Sequence, residues 1–273
     1  MGEHPVSSMR ATPRAEPAVR ELYEYLAGFY LPKRYPTLFR SHAEGGAEAM
    51  LQNLASGEIF PQRAPISTDA TMRRLGTLVD EDFMLLMPPP DGAKGGEYTM
   101  QAWLVCFTSG FDLPPLLGKP LSSVHAPVPG YEEKLGLSMT RWFDRLEVGR
   151  LARRYNWAIT MRGGLKLSHG ENALYADHET SRQQHQQQQQ TDVDISQAHL
   201  RTELQHIFRL PSSRAVVLMY KTYLYPLADI RAEGQGPALA DAIEGLARGN
   251  APGMAKYKGS KIWGEAVCRF LRS

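Results

Sequence analysis

The sequence predicts an α+β fold in which several strands form one antiparallel sheet with helices flanking it. Three observations lead there. Residues 215–225 read Ala-Val-Val-Leu-Met-Tyr-Lys-Thr-Tyr-Leu-Tyr and stop at Pro226, a β-branched and aromatic run of strand length. Residues 157–161 are apolar and β-prone, and Gly163-Gly164 after them predicts a hairpin into Leu165-Lys166-Leu167. Between and after these runs, segments with apolar residues at helical spacing fill the gaps.

Taken in order, residues 1–18 are polar and rich in Pro and Ala, which predicts a disordered tail. A domain over 19–273 follows. Val19, Leu22, Tyr23, Leu26, Phe29 and Tyr30 share one helical face, and Pro32 predicts the end of that helix. A second helix is expected over 45–56, between Gly45-Gly46 and Gly57. Thr68 and Asp69 cap a short helix, which leads into the run Phe83-Met84-Leu85-Leu86-Met87, closed by three prolines. Residues 98–107 read as a strand, with a turn at Ser109-Gly110. Further helices are expected at 137–149, at 227–248 with a break near Gly234-Gln235-Gly236-Pro237, and at 260–272. On the strand at 215–225, alternation puts Val217, Met219, Lys221, Tyr223 and Tyr225 on one face. Residues 169–198 interrupt the pattern. Their glutamine-rich centre at 183–190 cannot bury enough apolar surface to fold, so a flexible insertion is expected, with His169, His178 and His185 solvated.

Composition narrows the function classes. Hydrophobic residues make up 42% and charged residues 22% of 273, enough for a sizeable core. A net charge of +2 is too small to draw the chain to nucleic acid or a membrane surface. No apolar run approaches the roughly 18 residues of a membrane span, and the N-terminus has no apolar signal-peptide core. Cys106 and Cys268 lie too far apart in sequence for a metal-type pair. A reducing, cytoplasmic setting is the expectation.

The most informative stretch is Val124-His125-Ala126-Pro127-Val128-Pro129-Gly130-Tyr131. Two prolines leave this loop little freedom, so it can aim one imidazole at one point. Imidazole is the commonest protein ligand for metals; the alternative is a turn histidine with a satisfied hydrogen bond. Around this stretch the chain resembles fungal-type members of the heme-dependent oxidative N-demethylase family. Five blocks carry the resemblance: Arg34-Tyr35-Pro36-Thr37-Leu38-Phe39; Leu78-Val79-Asp80-Glu81-Asp82-Phe83 with Leu85-Leu86; Val105-Cys106-Phe107-Thr108-Ser109-Gly110-Phe111; the His125 block with Lys134-Leu135-Gly136; and Leu200-Arg201-Thr202-Glu203-Leu204-Gln205 through Arg209-Leu210-Pro211 into Lys221-Thr222-Tyr223-Leu224-Tyr225-Pro226-Leu227. Asn156-Trp157 adds a smaller match. The chain departs from the pattern at Thr108, where proline is common, at Leu204, where a second arginine is expected, and in the glutamine-rich insertion.

The resemblance implies a PAS-like antiparallel sheet enclosing heme b. It also implies a monooxygenase that removes a methyl group from a small dimethylamine-type amine as formaldehyde, using O₂ and external electrons. A heme needs an axial ligand, an apolar cavity and cations for its propionates. His125 is the candidate iron ligand, with His206, His199 and a Cys106 thiolate as competitors. Arg201 and Glu203 share a face if their segment is extended. Glu203 could then hold a protonated amine or relay protons to bound oxygen; otherwise the two form a structural ion pair. Arg154, Arg201 or Lys221 could meet propionates, Asn156 and Trp157 could wall the cofactor, and Tyr223 could line the distal pocket. With no Gly-x-Gly-x-x-Gly fingerprint and no iron–sulfur cysteine set, electrons must come from a separate flavin/iron–sulfur reductase. The second reading is a heme-binding PAS-like gas or redox sensor without turnover.

Overall fold

A computed structural model of the chain describes residues 8–42, 48–90, 92, 95–165 and 194–273. Its centre is a six-stranded antiparallel sheet of order β1-β6-β5-β9-β8-β7: β1 (Met9–Ala11), β5 (Asp82–Met87), β6 (Thr99–Leu104), β7 (Leu151–Thr160), β8 (His199–Arg209) and β9 (Val216–Pro226). The expected mixed helix-and-sheet class holds. The longest pairing joins β8 to β9 in unbroken register from His199 opposite Pro226 to Arg209 opposite Val216. β7 pairs with β8 over its whole length and forms one edge of the sheet.

The first correction falls on the tail. Residues 1–7 lie outside the described residues, but residues 8–18 are ordered. Met9 is buried and β1 pairs with β6, because an alternating Met-Arg-Ala triplet can cap the free edge of a sheet. Helix α1 (Glu16–Tyr25) then begins three residues before the expected start and buries Ala18, Val19, Leu22 and Tyr23. Pro32 does not end the helical segment. A π-helical turn at Leu26–Tyr30 leads into α2 (Leu31–Arg34), and Pro32 sits in the first turn of α2, where a missing N–H removes no necessary bond.

The second correction is the helix expected over 45–56. Residues 43–47 lie outside the described residues. Met50–Asn53 is a strand, β3, between β2 (Phe39–His42) and β4 (Ile59–Pro61). Asn53 Oδ1 accepts the N–H groups of Ala55 and Ser56, and Gly57 takes a left-handed φ of 77°, which reverses the chain into β4. Burial of Leu51 against the main core decides for strand over helix here. α3 (Thr68–Leu78) matches its expected place, with Ser67 rather than Thr68 or Asp69 as the cap. The break at 233–235 separates α6 (Leu227–Ala232) from α7 (Gly236–Arg248), as the glycines predicted. The expected hairpin from 157–161 into 165–167 is corrected in part. β7 is ten residues long and pairs with β8, because its alternating side chains match the register of that strand; Lys166 and Leu167 lie outside the described residues. The glutamine-rich centre also lies outside them. Residues 194–198, expected within the flexible insertion, form a turn capped by Asp194, with Ala198 buried.

The two faces of the sheet are packed differently. Phe83, Leu85 and Val217 face α1, α3 and the small sheet in one apolar cluster. Met100, Leu86, Ile207 and Tyr220 point the other way, toward the residues that follow β6. Those residues are α4 (Leu121–Val124), a π-helical turn at Tyr131–Gly136 and α5 (Leu137–Arg145). The C-terminal helices α6, α7 and α9 (Ser260–Arg272) form a third cluster around Trp263, which also covers Ile159, and the short α8 (Gly253–Tyr257) lies between α7 and α9 in the chain.

Two predictions follow from this packing. A Cβ at Gly236 would lie 2.0 Å from the Leu271 carbonyl oxygen, whereas one at Gly245 meets nothing within 4 Å. Gly236→Ala is expected to destabilise by about 2–3 kcal/mol. Gly245→Ala in the same helix should be neutral or stabilising by up to about 1 kcal/mol, with denaturant unfolding as the measurement. Glu81 is half-buried beside Asp80, and its Oε2 has no partner among the described residues. Burial first, then Asp80, pushes its carboxyl up to about 7. A raised carboxyl favours the folded state below its unfolded value and loses that contribution as pH rises through about 7. Glu81→Gln should therefore become progressively more stable relative to wild type from pH 5 to pH 8; a constant difference across that range would contradict the assignment.

Candidate functional site

The face of the sheet opposite α1 forms the floor of a cavity of about 540 Å³, within the range of small-molecule and cofactor sites. Strand alternation decides which side chains reach it. On β8 the odd-numbered residues Arg201, Glu203, Gln205 and Ile207 face the cavity. On β9 the even-numbered Leu218 and Tyr220 do so, and on β7 Arg154, Asn156 and Ala158. The remaining walls are mostly apolar and come from α4, the His125 loop, α5 and α8.

Glu203 is the polar centre of the floor and is 9% exposed. Its Oε1 accepts from Ser109 Oγ at 3.1 Å, and its Oε2 accepts from Gln205 Nε2 at 2.8 Å and Asn156 Nδ2 at 3.3 Å. Arg154 Nε donates in turn to Gln205 Oε1. Arg201, 1% exposed, lies beside Glu203 with Nε 4.0 Å from Oε1. Its other nitrogens donate to the carbonyls of Leu165 and Phe107, both at 2.6 Å, and to Thr222 Oγ1 at 3.4 Å. The segment is extended, which the sequence had left open, and brings Arg201 and Glu203 to one face. The terminal nitrogens of Arg201 are committed to two carbonyls and a hydroxyl, so it underpins Glu203 through its Nε side rather than presenting a free fork to the cavity.

Behind this floor lies a second buried carboxylate. Asp82 accepts from the N–H groups of Cys106 at 2.7 Å and Phe107 at 3.1 Å, and from the Tyr220 hydroxyl. Burial raises its carboxyl to about 6 against those donors and the pull of Arg201. Burial also raises the Tyr220 hydroxyl well above the usual tyrosine range, and Asp82 and Glu203 reinforce the shift.

His125 caps the single turn of α4. Its backbone N–H and its Nδ1 both reach the Leu121 carbonyl at 2.9 Å, and its ring stacks on Tyr131 with centroids 4.5 Å apart and planes 9° from parallel. With Nδ1 committed as the donor, the lone pair belongs to Nε2, the arrangement that orients a metal-binding imidazole. Burial lowers the imidazole pKa, the Leu121 carbonyl opposes this, and Arg154 lowers it further. Gly130 turns the loop with φ 73°, and a Cβ on Gly253 would lie 2.9 Å from Pro129, so α8 rests directly on the histidine loop. Lys134 Nζ adds a bond to the Asn250 carbonyl.

His125, Arg154, Asn156, Trp157, Arg201 and Glu203 thus line one cavity. Lys221 and Tyr223 do not. The alternation that groups them with Val217 and Met219 is correct, but that face points away from the cavity. Lys221 pairs there with Asp80, and Tyr223 stacks on Tyr225. Tyr220 occupies the position on the cavity face. His206 lies on the face of β8 opposite Glu203, His199 bonds the Gln197 carbonyl, and Cys106 is not among the cavity-lining residues. Asp82, Gln205 and Lys258 were not singled out from the sequence. Gln205 could have been found, two residues beyond Glu203 on the same alternation. Lys258, in Lys256-Tyr257-Lys258-Gly259, shows no local signal.

The cavity combines an apolar enclosure, an oriented imidazole and a hydrogen-bonded carboxylate, which are the parts a bound heme and its substrate would need. No helix among the described residues is long and apolar enough to cross a membrane. Compared with known families, the chain matches from residue 1 to residue 268 the one described as Haem-dependent oxidative N-demethylase, alpha subunit-like, and it belongs to that family.

Proposed function

We propose that this protein is a heme b monooxygenase that oxidises the C–H bond next to the nitrogen of a small alkylamine. The observation that carries the reading is His125, with Nδ1 tied to Leu121 and Nε2 left as the ligating atom, on a mostly apolar cavity whose floor holds Glu203. His125 would hold the iron, and Trp157 and Asn156 would wall the cofactor. The heme, when bound, supplies oxygen activation. The chain's residues supply the rest. Glu203 receives the ammonium of the substrate through a charge-assisted hydrogen bond or passes protons toward the reacting oxygen. Ser109, Asn156 and Gln205 fix its orientation, and Arg201 holds it in place from beneath. The apolar walls exclude water. One O₂, two electrons and two protons convert the N-methyl group to a hemiaminal and give one water; the hemiaminal then collapses to the shorter amine and formaldehyde. The electrons come from a separate flavin/iron–sulfur reductase. A PAS-like heme domain that takes in β1 and so begins before residue 19, in a cytoplasmic protein, completes this reading.

The test is formaldehyde release from dimethylamine by the heme-reconstituted protein with a surrogate flavin reductase and O₂. Release supports the monooxygenase, and heme binding without release from any alkylamine would make the protein a sensor. His125→Ala should abolish or reshape the Soret spectrum, whereas an unchanged spectrum would reject His125 as ligand. Glu203→Gln should retain heme and lower kcat/KM by about 100-fold or more; undiminished turnover would remove Glu203 from the reaction.

A further inference from the structure

Lys258 closes α8 at the rim of the cavity and is 8% exposed. An ammonium carries three donors. Among the described residues Lys258 Nζ makes one hydrogen bond, to the Trp157 carbonyl, and lies 5.1 Å from the centroid of the Trp157 ring. No carboxylate among the described residues stands within ion-pair distance of it. Burial disfavours its charged form, and the Glu203 carboxylate opposes this only from beyond ion-pair distance. A buried ammonium with one hydrogen bond and no carboxylate at ion-pair distance among the described residues is costly, and such groups are retained when an anion completes them. The ring contact supplies part of that compensation and cannot replace a hydrogen-bonded anion.

The position of α8 says which anion. The same short helix rests through Gly253 on Pro129 of the histidine loop, so one element supports the loop that carries the candidate iron ligand and also delivers the buried cation to the same cavity. We propose that Lys258 is a carboxylate-binding residue of this cavity and that its ligand is a propionate of the heme. The inference rests on the proposed heme site and assigns one of its contacts. Lys221, the lysine favoured by the sequence, is paired with Asp80 on the far face.

The experiment uses the full-length protein without heme. Hemin is titrated by Soret absorption into wild type, Lys258→Met and Lys258→Arg, and the titrations are repeated with iron protoporphyrin IX dimethyl ester, which lacks the propionate charges. Lys258→Met is expected to bind hemin about tenfold or more weakly. Lys258→Arg should recover most of the affinity, and wild type and Lys258→Met should bind the dimethyl ester alike. The heme-free Lys258→Met protein should melt no lower than wild type, since it loses a buried charge with no carboxylate beside it among the described residues; this separates lost contact from lost fold. Equal hemin affinity in wild type and Lys258→Met, or the same loss with the dimethyl ester, would overturn the assignment while leaving the heme site intact. Failure of wild type to bind hemin at all would instead reject the heme reading on which it rests.

Discussion

The acidic half of the cavity depends on the guanidinium of Arg201. A charge this deeply buried must be hydrogen-bonded on nearly every side to be tolerated. Arg201 meets that demand at its two terminal nitrogens with the carbonyls of Leu165 and Phe107 and the hydroxyl of Thr222, drawn from separate parts of the chain, while its Nε faces Glu203 at 4.0 Å with no hydrogen bond among the described residues. Each of those bonds fixes something else. The Phe107 carbonyl belongs to the turn whose N–H groups Asp82 holds, and Ser109 of that turn donates to Glu203. Arg201 also lies close enough to Glu203 and Asp82 to attract both carboxylates. The cavity floor is therefore a connected polar network, in which the orientation of the exposed member follows from the burial of the others.

The sheet makes this possible by separating two tasks on its two faces. Phe83, Leu85 and Val217 bury apolar surface against α1 and α3 and hold the sheet flat against its helices. One residue along, Asp82, Tyr220 and Glu203 line or support the cavity. Strand period alone enforces the division, so a slip of one residue in β8 or β9 would exchange core for site. Unbroken pairing over eleven residues between those strands guards the register where the error would matter most. The opposing wall is built differently. The His125 loop is irregular and takes its precision from two prolines, from a carbonyl shared by ring and backbone, and from α8 pressed against Pro129.

Long elements with a strong period were legible in the sequence. The strand at 215–225, the helix after Ser67, the broken helix near Gly234 and the C-terminal helix all stand close to where spacing put them. The misplaced elements were short. Met9–Ala11 and Met50–Asn53 are strands because a partner edge and a core position are available to them, and neither is visible in a local window. For the site, the resemblance of the His125 and Arg201–Glu203 blocks pointed to residues that do share the cavity. Alternation along the strand at 215–225 identifies two faces without saying which is inward, so it does not separate Tyr223 and Lys221 from Tyr220.

The class of fold and the stiffness of the histidine loop could be read from neighbouring residues, because dihedral limits and side-chain period are local; the family showed in the order of five matching blocks along the chain. Packing between distant segments settled whether the Arg201–Glu203 segment is extended, which face of β9 looks into the cavity, that Asp82 stands behind Tyr220, and that Lys258 of α8 reaches a cavity whose floor is built by earlier strands. Those facts depend on contacts between distant segments, and a contact between distant segments is set by packing and by the pairing of buried charge, which no local pattern records.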